Sequence, residues 1–200
     1  MRLRHLVFPA VVSLLISGVV FGGEKYQIDP VHSNIGFSVK HLVISNVKGN
    51  FKEFSGTILL DQKDVSKSSV QVTINTASIS TDNDKRDADL KGPGFLDTAK
   101  FPEITFQSKK VTKTEDGLLA VGDLTIHGVT REVSIPFTLS GPINDPWGGT
   151  RIGVEASLTI NRMDYGLSWS KTLDNGGLVV GNDVKITLEV ESIRTKDGTN

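Results

Sequence analysis

Residues 117–140 read GLLAVGDLTIHGVTREVSIPFTLS, and their period decides the fold. Leu118, Ala120, Gly122, Leu124 and Ile126 occupy alternate positions. After His127-Gly128 the alternation resumes, with Val133, Ile135, Phe137 and Leu139 set against Ser134, Pro136, Thr138 and Ser140. Side chains on a strand point to opposite faces in turn, so each run has a dry side and a wet side. A Gly-containing break between two such runs is a hairpin signal. The segment therefore predicts adjacent antiparallel strands with one solvated face, not a parallel sheet covered by helices.

The same period extends outward in both directions. Toward the N-terminus it holds Ile104 and Phe106, then Val70, Val72 and Ile74, then Phe54, Gly56, Ile58 and Leu60, then Ile35, Phe37 and Val39. Toward the C-terminus it holds Ile152, Val154, Ala156, Leu158 and Ile160, then Val184, Ile186, Leu188 and Val190. Asp116-Gly117 reads as a second hairpin. About eight strands of this kind form a two-sheet sandwich or a closed barrel, and closure removes exposed sheet edges. One segment departs from period two. Ser80-Thr81-Asp82 supplies N-cap candidates, Asp82 to Leu90 has helical composition, and Gly92-Pro93-Gly94 stops it. Phe95-Leu96 begins a further short turn before Pro102, so a helical insert is expected near residues 82–97, packed across an opening of the β structure. Gly141 to Thr150 and Met163 to Asp183 read as long loops that carry Trp147 and Trp169, and loops of that length are often functional rims.

The chain has 200 residues, with 22 Lys and Arg against 23 Asp and Glu, and no cysteine. Charge balance argues against non-specific nucleic-acid binding, which wants a basic surface. Without cysteine there is no disulfide framework, thiolate metal site or thiol nucleophile. Arg2, Arg4 and His5 precede an apolar run from Leu6 to Val20 and the small residues Gly22 and Gly23. This is the pattern of a secretory signal peptide, and the run is shorter than the ~20 apolar residues of a membrane span. The expected organisation is a cleaved segment at 1–22, a single domain at 24–193 and a polar tail at 194–200. The expected location is periplasmic, with secretion as the alternative.

Motifs for catalysis are lacking. His32, His41 and His127 show no metal-ligand spacing, and there is neither a G-x-S-x-G elbow nor a Gly-rich phosphate loop. Asp84, Asp87 and Asp89 interleave with Lys85 and Arg86, as on a solvated helix with internal charge pairs. No catalytic residue and no metal site is assigned. A barrel of this size is either filled by its own side chains or holds one small ligand, and periodicity leaves both open.

Five stretches in order resemble the YceI-like family. They are Tyr26 to Phe37 with its I-D-x-x-H-S-x-x-x-F spacing, Ile79-Ser80-Thr81 with Lys85 to Leu90, Gly94-Phe95-Leu96-Asp97 with Phe101 to Ser108, Gly122 to Arg131, and Asn161 to Leu167. Asp89 stands where the family often has His, and Tyr165 where it often has Phe. The resemblance implies an exported, extended lipocalin-like antiparallel barrel whose interior holds a long polyisoprenoid, a quinone or a polyprenyl-phosphate-like lipid, as carrier or store. No further cofactor is implied. The phase of Phe37, Phe54, Ile58, Phe106, Ile126, Phe137 and Leu158 suits an apolar tube for such a chain. Met163, Leu167, Trp169 and Leu173 are candidates for its mouth. Asp29, His32, Ser33, Arg86 and Asp87 are expected together near the barrel end, as a polar network or a head-group contact. Transient membrane contact is expected, and the oligomeric state is left open, a homodimer included. Two other classes compete. One is an enzyme acting on a polyprenyl head group through His32, Arg86 and Asp87; the other is a partner-binding module with a filled barrel that presents Trp147 and Trp169 as clustered rings.

Overall fold

The computed structural model describes residues 23–174 and 176–195. The segment read as an export signal and residues 196–200 of the polar tail lie outside the described residues. Eleven strands make one antiparallel sheet. They are β1 (Glu24–Ile28), β2 (Asn34–His41), β3 (Ser45–Phe51), β4 (Phe54–Leu60), β5 (Ser69–Asn75), β6 (Ile79–Ser80), β7 (Glu103–Thr114), β8 (Gly117–Ile126), β9 (Val129–Asn144), β10 (Thr150–Asn161) and β11 (Val180–Arg194). The spatial order is β1-β4-β5-β7-β8-β9-β10-β11-β2-β3-β6, and β1 also pairs with β11, which closes the ring. Three strand pairs, β1/β2, β3/β4 and β5/β6, are single staves broken by short kinks. The result is a closed barrel of eight staves.

Two hairpins follow the sequence closely. His127 and Gly128 join β8 to β9 with φ of 51° and 74°, the positive angles that a two-residue type I′ turn needs at both positions. The Phe101 ring packs on His127 with centroids 4.2 Å apart. In the other hairpin the turn is Glu115-Asp116, and Gly117 is already the first residue of β8. The reading of Gly141 to Thr150 as a long loop is corrected. β9 continues to Asn144 and β10 starts at Thr150, because Asp145 ties the reversal by accepting from the Trp147 and Gly149 amides. β3 was not legible as a strand, since Val47 and Phe51 are its only apolar positions. It exists because it is the partner of β2 on one side and β6 on the other.

The insert also starts later than expected. Its helix α1 spans Asp84–Lys91, capped by the Asn83 side chain, which accepts from the Arg86 amide, and it ends at Gly92. No residue of α1 is fully buried. It holds its place through β6 and through Leu90 and Leu96, which pack on the main core. β7 pairs with β5 only as far as Glu103, so beyond that point the seam between β6 and β7 is spanned by residues 81–102.

The two ends of the barrel differ. At the closed end Tyr26, Ile58, Leu60 and Ile152 form a separate cluster. The Tyr26 ring is wholly buried, and its hydroxyl donates to Glu24, 2.8 Å away. Burial first, and then the Glu24 carboxylate, push the Tyr26 phenol up to about 12. Glu24 also accepts from Arg194, and Thr195 donates to the Lys25 carbonyl, so β11 and its pairing extend past the expected limit at Ile193.

Candidate functional site

The lumen is built by the alternation itself. Ile28, Ile58, Phe106, Ala120, Phe137, Val154, Leu188 and their inward neighbours enclose a cavity of about 110 Å³ in the closed half of the barrel. Val65, from the short turn between β4 and β5, borders it, and Ser68 and Ser69 are its only polar lining residues. Phe137, Leu139, Val154, Ala156, Leu188 and Val190 all face inward, yet they are only half-buried. In a close-packed interior such side chains would be sealed by neighbours. Here they border open space. Nearer the other end Ile104, Leu124, Ile126 and Ile160 pack tightly and fill the tube.

At that end the barrel opens into a cavity of about 680 Å³ between β2, β3, α1 and the loop before β11. Phe37, Val39, Val47, Leu90, Phe95, Trp169 and Val179 supply its apolar wall, and Lys40, Lys85, Arg86 and Asp89 its charges. Gly49 is required beneath Phe37, since a Cβ there would stand 2.5 Å from the ring. Trp169 lies over Phe95 with centroids 5.2 Å apart, which links the loop to the insert. That loop is pinned from below by Arg162, which is 3% exposed. Its guanidinium donates to the carbonyls of Gly181, Leu167 and Val180 and to Asn182 Oδ1. Desolvation lowers its pKa, and these acceptors take the place of water. The stretch Asn161 to Leu167 carries part of the family resemblance, but nothing in its local sequence marks Arg162 as the residue that holds the mouth loop.

Of the expected interior residues, Ile58, Phe106 and Phe137 line the closed-half cavity. Ile126 and Leu158 belong to the packed core above it, and Phe37 is a wall of the mouth. Phe54 keeps the phase of Ile58 but borders a shallow surface groove with Glu53, Thr73, Asn75 and Glu103. It follows immediately on the break between β3 and β4, where the wall opens outward. Of the expected mouth residues, Trp169 lines the cavity and Leu167 packs on the core. Leu173 closes a small turn with Gly177, and Met163 is 41% exposed without bordering the mouth.

The polar residues expected in one place divide into two clusters. Arg86 and Asp87 both bind Thr81 at the start of the insert: Arg86 Nε donates to Thr81 Oγ1 and its Nη2 to the Thr81 carbonyl, while Asp87 accepts from the Thr81 amide. Asp29, His32 and Ser33 sit instead at the kink between β1 and β2, on the outer wall toward the closed end. There Asp29 meets His32 Nδ1 at 2.9 Å. Arg151 reaches Asp29 at 2.9 Å, Asp145 at 2.6 Å and Glu191 at 2.6 Å. Ser33 Oγ donates to the Asp29 carbonyl and accepts from the Glu191 amide. The His32 hydrogen bond first, then Arg151, hold the Asp29 carboxyl down at about 2. Asp29, His32 and Glu191 are close enough to share a cation, but the Arg151 guanidinium already stands between the two carboxylates. The cluster staples the stave break to β10 and β11. Sequence proximity could not reveal it, because Arg151 lies 122 positions from Asp29.

These placements bear on the competing classes. His32 shares no site with Arg86 and Asp87, so head-group chemistry that needs all three has no common centre. Trp147 is 84% exposed at the β9–β10 turn, at the opposite end of the barrel from Trp169, so the two rings do not form one patch.

The profile of the YceI-like domain matches residues 26–192. A UPF0312 protein of Yersinia pestis (strain Pestoides F) is 40% identical over 173 residues, covering 86% of this chain and 87% of that one. The YCEI protein of Campylobacter jejuni superposes with a TM-score of 0.67 at 32% identity, over 78% of this chain and 90% of that one. A polyisoprenoid-binding domain from Saccharophagus degradans superposes with a TM-score of 0.62 at 16% identity, over 85% of this chain and 98% of that one; it shares the fold.

Proposed function

The chain belongs to the YceI-like family, and on that footing we propose that it is an exported binding protein that takes a long polyisoprenoid amphiphile into its barrel without turning it over. The observation that carries this reading is the lumen, an inward face of aliphatic and aromatic side chains left half-buried around open space. A structural neighbour named for polyisoprenoid binding supports the ligand class.

Magnitudes favour a carrier or store over a trap. An isoprene unit is worth on the order of 3–4 kcal/mol against water, at ~0.8 kcal/mol per methylene. The donor, however, is a membrane whose tails are as apolar as the lumen, so transfer is close to balanced. The closed-half cavity of about 110 Å³ falls below the ~300–1,000 Å³ of small-molecule sites. A long tail therefore enters by moving the half-buried side chains, while the mouth cavity of about 680 Å³ takes the head group. Arg86 uses Nε and Nη2 on Thr81, which leaves Nη1 for an anionic or carbonyl oxygen.

Lipid extraction and mass spectrometry of the purified protein test the reading. A stoichiometric isoprenoid, or saturable uptake of added quinone or polyprenyl phosphate, is the expected result. A protein that is empty as purified and takes up neither lipid overturns it.

A further inference from the structure

The β2–β3 hairpin ends in Leu42, Val43 and Ile44, directly beside the mouth. Its tip turns outward in a costly conformation. Leu42 and Val43 have φ of 52° and 67°, and a positive φ at a β-branched residue is a true outlier. The side chains so displayed are apolar: Val43 is 55% exposed and Ile44 83% exposed. Strain of this kind persists only where the surrounding structure imposes it. Here β2 and β3 fix both flanks through the His41–Ser45 pair, and the Leu42 amide is held by the Val179 carbonyl at 2.9 Å.

The lining of the cavity beside this tip is positive. The mouth cavity is lined by three cations, Lys40, Lys85 and Arg86, against one carboxylate, Asp89. Lys171 is the next rung, since its carbonyl accepts from the Val179 amide. Among the described residues neither Lys40, Lys85 nor Lys171 has a side-chain partner. Exposed apolar side chains beside unpaired cations match the chemistry of an anionic bilayer surface, where nearby cations are attracted to the head groups and the apolar side chains enter below them.

We propose that the Leu42–Ile44 tip and the cations beside it dock the mouth of the barrel on an anionic lipid surface. The role rests on the lipid-binding reading, but the docking is measured without it. The purified protein is sedimented with vesicles of phosphatidylcholine alone and of phosphatidylcholine with phosphatidylglycerol. The wild type is expected to prefer the anionic vesicles and to lose them at high salt. V43N/I44S is expected to bind them at least tenfold less. Asn tolerates positive φ better than Val, so this variant keeps the turn; thermal unfolding and uptake of quinone from detergent, both expected unchanged, verify that. Equal sedimentation of variant and wild type overturns the proposal, as does equal binding to neutral and anionic vesicles. A lipid-free self-association that V43N/I44S abolishes, without vesicle binding, also overturns it in favour of a protein interface. Vesicle binding by a protein that takes up no lipid leaves the docking standing and removes the lumen reading instead.

Discussion

Replacing Ala156 by Leu separates a lumen from an ordinary core. Ala156 faces inward on β10 between Phe137 of β9 and Leu188 of β11, and all three border the closed-half cavity. The substitution adds about three methylene equivalents at ~0.8 kcal/mol each, or up to ~2.4 kcal/mol if all are buried. An independent route gives a similar figure. Filling a cavity of about 110 Å³ at ~24 cal/mol per Å³ recovers about 2.6 kcal/mol. Incomplete filling lowers both, so the expected gain for the empty protein is ~1–2 kcal/mol, or a Tm higher by about 2–8 °C for a chain of this size. The same atoms occupy the space of rather more than half an isoprene unit in the closed-half cavity, so lipid recovered with the protein should fall at least tenfold. Calorimetry on delipidated protein and mass spectrometry of extracts from matched preparations read the two effects separately. Stabilisation with loss of lipid is the signature of a functional void. A variant that is destabilised and still carries its full lipid load refutes the reasoning, because the cavity would then be neither fillable nor used.

Three further outcomes are expected. Asp29 is held at about 2 in the fold, below its ordinary ~3.9; its contribution is complete above that ordinary value and is lost as pH falls through 2. After allowance for solvent screening it amounts to ~1–2 kcal/mol, so thermal unfolding of Asp29→Asn should vary less between pH 5 and 2 than that of the wild type, and parallel curves would contradict the role of the cluster. Gly49→Ala sets a Cβ against the Phe37 ring and 2.7 Å from the Ser80 carbonyl, and should cost ~2 kcal/mol or more in chemical denaturation; a neutral result would show that β3 can shift freely. Arg162→Met strands carbonyls that cost ~1–3 kcal/mol each when buried unpaired, so limited proteolysis should open the segment between Leu167 and Val180 first, and cleavage confined elsewhere would contradict the pinning of the mouth loop.

Much of the barrel was readable because a strand's faces are set by residues two apart. The runs through Ile35, Ile58, Phe106, Ile126, Phe137 and Leu158 show their phase locally, and His127-Gly128 announces its turn in two residues. Strand β3 escaped because its position is dictated by its neighbours and not by its own apolar content. The insert is legible, but its start lies two residues later than Asp82, because the sequence offers Ser80, Thr81 and Asp82 as caps and the side chain that accepts from the first-turn amide of Arg86 is that of Asn83.

What the sequence determined alone is an antiparallel β fold with one apolar face, crossed by a short helical insert and showing no local catalytic or metal-ligand pattern. Three matters were settled only by the tertiary structure. Closure depends on β11 pairing with β1 and β2 across most of the chain. The polar residues separate into two clusters because the β1/β2 kink and α1 lie toward opposite ends of the barrel. Finally, the interior is partly open, which alternation cannot reveal: a packed core and an empty tube demand the same inward apolar residues, and only the distance between opposite walls distinguishes them.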